Sequence, residues 1–257
     1  MQGWENSLED SMPRSSHEPF PIIGVLALQG DYESHMRALE QINAQAKLVR
    51  TAAELAQVQG LIIPGGESTT FLNLLEREGL FTPLRQFVQT QPTFGTCAGC
   101  ILLAARVTHP HQPSLGALDA TVERNAYGRQ IDSEILLAPT SLPGGPLEMV
   151  FIRAPRIVKL GSEVEVLASR DGSPVLVRQK NILAATFHPE LSHACHPSDQ
   201  PEAQPSDGPS NGPKDPPDWR VHRYFVQMVL NASPADASQK TDPAPSNASQ
   251  AAAASRP

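Results

Sequence analysis

Three short apolar runs, each ended by a glycine or a glycine turn, most restrict the folds open to this chain. Residues 21–28 read Pro-Ile-Ile-Gly-Val-Leu-Ala-Leu and stop at Gln29-Gly30-Asp31. Residues 60–63, Gly-Leu-Ile-Ile, stop at Pro64-Gly65-Gly66, and Pro92-Thr93-Phe94 runs into Gly95. A run without polar alternation is a strand covered on both faces, as in a parallel sheet between helical layers. Met36, Leu39 and Ile42, and later Phe71, Leu74 and Leu75, supply helical stripes. Between them Lys47-Leu48-Val49 and Ala52–Leu55 continue the strand-helix rhythm, and Ile101 to Arg106 reads as the helix behind the third run.

From Ala117 the pattern changes to short β-branched segments separated by turn signals: Glu148–Arg153, Val164–Leu167, Val175–Val177 and Ile182–Phe187. Alternating elements followed by strands predict a single three-layer α/β domain built on a central mixed β-sheet. Val221, Tyr224, Phe225, Met228 and Val229 form the stripe of a final helix. Between the strands and that helix, residues 192–217 are rich in Pro, Ser, Asp and Gly without a periodic apolar set, and they read as a mobile insert. The domain therefore spans 21–231, with a flexible extension over 1–20 and a disordered Ala-, Ser- and Pro-rich tail over 232–257.

A formal net charge of −7 argues against general affinity for nucleic acid or anionic membrane. No apolar run is long enough to cross a bilayer, and residues 1–20 lack the apolar core of a signal peptide, so a cytoplasmic protein is expected. Cys97, Cys100 and Cys195 are too few for a disulfide framework and stay free for chemistry or burial.

The strongest chemical signal is Phe94-Gly95-Thr96-Cys97-Ala98-Gly99, a cysteine among small residues between a buried strand and a helix. That is the build of a nucleophile elbow: the glycines permit the tight turn, and the N–H groups of the following helix favour a thiolate. A lone cysteine is more often simply core, but the flanking glycines reverse that balance. A thiolate needs a base, and the base needs a group to hold its tautomer. Phe187-His188-Pro189-Glu190 offers both, with His188 and Glu190 two positions apart at a strand end, where alternate side chains share a face. Alone, His-Pro-Glu is equally a surface turn.

Pro64-Gly65-Gly66-Glu67-Ser68 is a strand-to-helix turn whose backbone can approach a ligand and supply an oxyanion-hole N–H. It lacks the Gly-Lys-Ser/Thr ending of a phosphate loop. Two other readings stay open. Cys97 and Cys100 have the spacing of a redox pair, which leaves the elbow and His-Pro-Glu unexplained, and His188, His193, Cys195 and His196 match no closed zinc pattern.

Together the Pro-Gly-Gly-Glu-Ser, Gly-Thr-Cys-Ala-Gly and His-Pro-Glu segments resemble the class I glutamine amidotransferases. Gly24–Gly30, Val122–Gln130 and Phe151–Pro155 narrow the likeness to the glutaminase subunits of two-component pyridoxal 5′-phosphate synthase, over about residues 21 to 230. The resemblance implies hydrolysis of L-glutamine to glutamate and ammonia, with Cys97 as the nucleophile that forms a γ-glutamyl thioester, His188 moving protons and Glu190 orienting His188. It implies an oxyanion hole from the N–H groups of Gly66 and Ala98, and glutamine binding by Gly66, Glu67, Ser68, Arg124, Ile152 and Arg153. An arginine there can pair the substrate carboxylate in a fork. The implied partner is a (β/α)8-barrel synthase subunit that takes up the ammonia, and neither cofactor nor metal is called for in this chain. Cys100 stands where the family usually has an aliphatic residue. Two rivals remain: the glutaminase of a different synthase, against which Arg124–Gln130 argues, and a non-catalytic regulatory member, against which the complete triad argues.

Overall fold

The computed structural model describes residues 20–124, 134–192 and 218–232. Its central sheet has seven strands in the spatial order β10-β11-β12-β4-β3-β1-β2. Here β1 is Ile23–Leu26, β2 Ala46–Val49, β3 Gly60–Ile63, β4 Thr93–Thr96, β10 Glu165–Arg170, β11 Ser173–Gln179 and β12 Ile182–Ala185. β2, β1, β3, β4 and β12 pair parallel, and β11 and β10 extend the sheet antiparallel, which makes it the mixed sheet expected. Helices α1 (Tyr32–Gln41), α2 (Ala52–Leu55), α3 (Ser68–Arg77), α4 (Phe81–Thr90), α5 (Ala98–Leu103) and α6 (Arg220–Ala232) cover it.

β3 explains the three layers. Side chains of successive strand residues point to opposite faces. Leu61 and Ile63 enter one core with Leu55 of α2, Phe71 and Leu75 of α3, Leu84 of α4 and Leu102 of α5. Ile62 enters the other with Ile23, Val25, Phe94, Leu39 of α1, and Phe225 and Val229 of α6. A polar side chain at any of these positions would be stranded in a core, which is why the runs carry no alternation.

Not every strand of the second half joins this sheet. β5 (Ala104–Thr108), β6 (Leu118–Glu123) and β9 (Arg156–Leu160) form a three-stranded sheet, and β7 (Glu134–Ala138) pairs antiparallel with β8 (Leu147–Phe151). The helix expected over Ile101–Arg106 is corrected: α5 ends at Leu103, and Ala104–Thr108 is β5, paired parallel with β6. Ala-Ala-Arg suits a helix locally, but pairing of Val107 with Val122 outweighs that weak preference. α4, with Pro83 in its first turn, was not foreseen.

The stripe of α1 is also turned from the one expected. Its buried face is Ser34, His35, Ala38 and Leu39, while Met36 and Ile42 are only half-buried.

Ser192, the first residue of the expected insert, is buried; its hydroxyl donates to Glu148 and accepts from the Asp218 amide. Residues 193–217, the extension up to residue 19 and the tail from 233 lie outside the described residues. Among the described residues no helix is long and apolar enough to cross a membrane.

Candidate active site

In a parallel sheet the loops at the carboxyl ends of the strands meet along one edge, where open α/β sheets bind ligands. Gln29-Gly30 follows β1, Pro64–Ser68 follows β3, Cys97 follows β4 and His188 follows β12 by three residues. The separate sequence segments therefore converge without any long excursion of the chain.

Cys97 is the residue between β4 and α5, with φ 48° and ψ −102°. A non-glycine residue in that region is strained, and such strain accumulates at functional turns. The surroundings hold it there. The Cys97 amide donates to the Ala185 carbonyl, and Gly99 lies so close to β3 that a Cβ on it would stand 2.1 Å from the Ile63 carbonyl oxygen. Only glycine at position 99 lets α5 start directly above β3 and turn Cys97 outward. Cys97 Sγ sits 4.0 Å from the Ile152 carbonyl oxygen. Cys100 is fully buried, and burial together with the charge of Cys97 pushes its thiol up to about 12. It stays protonated at neutral pH and is not itself a nucleophile there.

His188 and Glu190 do not lie on a strand, as expected, but across a 3₁₀ turn, Pro189–Leu191, capped by His188. The juxtaposition survives for a different reason, since the turn folds Glu190 back beneath the imidazole. His188 Nδ1 lies 2.7 Å from Glu190 Oε1. A carboxylate only accepts, so Nδ1 carries the proton and Nε2 is the nitrogen left for Cys97. Burial alone would push His188 down, but the Glu190 charge and hydrogen bonds with Cys97 and Glu190 push it up to about 10. Burial would raise Glu190, and His35 and His188 hold it down at about 2. The site is thus built as an imidazolium beside a carboxylate, with Cys97 within interaction range of the ring.

The Pro64–Ser68 turn borders this group. A Cβ on Gly65 would stand 2.4 Å from His188 Cε1 and 3.3 Å from Cys97 Cβ, so the loop backbone packs directly on both residues. Gly66 has φ 149°, and the Gln29 amide donates to the Glu67 carbonyl over 2.6 Å. Glu67 caps α3, accepting from the amides of Thr69 and Thr70. Burial works against its ionisation, yet those bonds bring it down to about 2. Arg124 reaches it, donating to Glu67 Oε1 over 3.0 Å and to the Thr69 hydroxyl over 2.8 Å. Ser68 is buried and donates to Gln112 Oε1. Ala98 opens α5, where its N–H has no partner within the helix. Arg153 is exposed with φ 44°, next to Ile152, whose carbonyl faces Cys97. Of the ten residues singled out in the sequence, Gly66, Glu67, Ser68, Cys97, Ala98, His188 and Glu190 follow the carboxyl ends of β3, β4 and β12, while Arg124, just after β6, reaches Glu67, and Ile152, just after β8 and beside Arg153, faces Cys97.

The model of the SNO glutamine amidotransferase family matches residues 25–199. The chain belongs to that family. Among similar proteins, "Pyridoxal 5'-phosphate synthase subunit PdxT" of Koribacter versatilis is 53% identical over 211 residues, covering 82% of this chain and 97% of the relative. The protein of the same name from Thermotoga maritima is 43% identical over 209 residues, covering 80% and 98%. A solved structure described as "Crystal structure of glutamine amidotransferase" superposes with a TM-score of 0.67 at 42% identity, covering 81% of this chain and 98% of that one.

Within this SNO family member, sequence reasoning missed a buried polar group behind His188 and Glu190. His35 on α1 and His222 on α6 are fully buried, with Nδ1 of His35 3.0 Å from Nε2 of His222. Nε2 of His35 lies 3.2 Å from the Thr96 hydroxyl and 3.4 Å from Glu190 Oε2. The available signal was positional, since each histidine sits three or four residues before a buried apolar residue of its helix, Leu39 or Phe225. Gln112 was missed too, and nothing local marks it. The metal reading involved His193, Cys195 and His196, which lie outside the described residues, and among the described residues no three His, Cys, Asp or Glu side chains are arranged to hold a metal ion.

This group makes stability depend on pH. Burial lowers His35, and burial with the charge of His35 lowers His222 to about 3. A histidine lowered in the folded state takes up its proton first when unfolded, so stability falls as pH drops from about 6.5 towards 3. Glu190, also lowered, acts in the same direction between about 4.5 and 2. His188, raised, contributes stability that is lost as pH climbs from about 6.5 through 10. Thermal melts from pH 4 to 9 should therefore peak near neutrality, with His222→Phe flattening the acid limb. An acid limb unchanged in that variant would contradict the assignment.

Proposed function

We propose that this chain is the glutaminase subunit of a pyridoxal 5′-phosphate synthase, releasing ammonia from L-glutamine for a (β/α)8-barrel synthase subunit. The observation that carries it is the convergence of Cys97 on its strained turn, His188 and Glu190 at one sheet edge in a member of a glutamine amidotransferase family. The pyridoxal 5′-phosphate synthase subunit names of the relatives, at up to 53% identity, support the choice of synthase.

In this reading glutamine lies across the Pro64–Ser68 turn. The ionised Glu67 accepts from its α-ammonium group, and Arg124 and Arg153 donate to its α-carboxylate, with Gly66, Ser68 and Ile152 lining the path to Cys97. The Cys97 thiolate attacks the side-chain amide carbon, and the carbonyl electron pair moves onto oxygen, where the N–H groups of Gly66 and Ala98 receive it. His188 Nε2–H protonates the departing nitrogen, the C–N bond breaks, and ammonia leaves behind a γ-glutamyl thioester. Water then gives its proton to His188 and attacks the thioester, releasing glutamate and restoring the thiolate. Glu190 keeps its charge throughout and holds the tautomer of His188. No step calls on a cofactor or metal. The chemistry needs a free thiol, which fits a reducing compartment such as the cytoplasm.

Mixing the purified chain with the barrel subunit tests this reading. A stable complex that forms pyridoxal phosphate from glutamine is expected, whereas a complex that uses ammonium salts but not glutamine would contradict it.

A further inference from the structure

The triad reading leaves one atom unexplained. Glu190 is wholly buried, and although Oε1 faces His188, Oε2 has no aligned hydrogen-bond donor among the described residues. A carboxylate oxygen sealed from water without a donor is costly. The polar group against it is His35 Nε2, 3.4 Å away.

We propose that His35 is a positioning residue of the glutaminase site: its Nε2–H, shared between Glu190 Oε2 and the Thr96 hydroxyl, fixes the far side of the Glu190 carboxylate, and His222 fixes the tautomer of His35. The proposal rests on the Cys97-His188-Glu190 reading and extends it by two residues on two helices.

The proton positions follow from the acceptors. Glu190 Oε2 only accepts, so the facing Nε2 of His35 must carry hydrogen. His35 Nδ1 is then bare and accepts from His222 Nε2–H at 3.0 Å. His222 Nδ1 is left as a bare acceptor, and it has no partner among the described residues. The reverse arrangement would point a lone pair of His35 at a carboxylate and strand a buried N–H on His222, the rarer and costlier defect. One tautomer chain therefore runs from α6 through α1 to Glu190.

The packing fits this role. Glu190, His188 and Asp31 are the charged or titratable groups acting on His35 besides His222. His222 is boxed by Trp219 and Phe94, both edge-on, at 5.8 and 6.1 Å between ring centroids. Burial keeps both histidines neutral near pH 7, so His35 acts by direction and does not compete as a cation with His188 for Glu190. Held at both oxygens, Glu190 cannot rotate, and the His188 ring keeps Nε2 towards Cys97.

The test compares wild type, Cys97→Ala, His35→Leu, His35→Gln and His35→Asn in glutamine hydrolysis with saturating synthase subunit. His35→Leu should lower kcat by on the order of tenfold or more, the usual worth of a hydrogen bond to a charged group. Its KM should stay within about twofold, because the residue touches no substrate. The acid limb of its pH profile should move to higher pH, since Glu190 loses a donor to its charged form. Gln can place an N–H where Nε2 stood and should restore most of the rate, whereas the shorter Asn should not. If His35→Leu fails to unfold cooperatively, the Gln and Asn pair decides. Equal rates for Gln and Asn, or a wild-type kcat and pH profile for His35→Leu, would overturn the proposal while an inactive Cys97→Ala left the triad standing. Full activity in Cys97→Ala would overturn both.

Discussion

Replacing Cys97 with alanine should lower glutamine hydrolysis by about 10⁴-fold or more, because under the proposed mechanism it removes the nucleophile and with it the covalent route, leaving only binding and the oxyanion hole. The fold should survive. The side chain loses one sulfur, and alanine at φ 48° bears the same backbone strain as cysteine does. The Cys97 amide keeps its bond to the Ala185 carbonyl, so the elbow retains its anchor. Synthesis of pyridoxal phosphate from ammonium salts by the complex should therefore persist. Assays of glutamine hydrolysis and of ammonium-dependent synthesis on one preparation separate the two effects. Substantial glutaminase activity in Cys97→Ala would show that the elbow carries no nucleophile.

The second large effect is expected away from Cys97, His188 and Glu190. Gly30 follows β1 with φ 82°, and a Cβ on it would stand 1.8 Å from the Gly65 carbonyl oxygen. Backbone cannot give way there as the end of a side chain can, so Gly30→Ala must shift the Gly65-Gly66 peptide. The two ends of a trans peptide are coupled: moving the Gly65 carbonyl turns the Gly66 N–H with it. If that N–H is an oxyanion donor, its misplacement should cost about 10²–10³ in kcat. Alkylation of Cys97 by iodoacetamide should change little, because the thiol and His188 stay in place. A Gly30→Ala enzyme with wild-type turnover would remove Gly66 from the oxyanion hole.

Much of this convergence was legible in the sequence, for a physical reason. β1, β3 and β4 are buried on both faces, so their sequences are uniformly apolar, and their loops meet because parallel strands end together. The sequence segments around Cys97 and Gly66 therefore carried their own placement. His188 and Glu190 were read on a wrong local geometry, a strand instead of a 3₁₀ turn, and still came out as neighbours because proline and a tight turn also bring them together. The end of α5 was misjudged because Leu103-Ala104-Ala105 has no local break, and strand pairing with a distant segment decides it. His35 and His222 were illegible for a similar reason. A histidine on a helix face reads as an interface residue until another element brings a carboxylate against it, and here that carboxylate arrives from 155 residues further along the chain, as Glu190.

The most direct measurement follows nitrogen. The reconstituted synthase is supplied with glutamine labelled with ¹⁵N in the side-chain amide, in the presence of unlabelled ammonium, and the single nitrogen of the pyridoxal phosphate formed is examined by mass spectrometry. With the wild-type chain the product should carry the label in excess of its share of the free ammonium pool, and with Cys97→Ala it should carry none. Unlabelled product from the wild-type complex would contradict the account, because the ammonia used in synthesis would then not come from glutamine at this site.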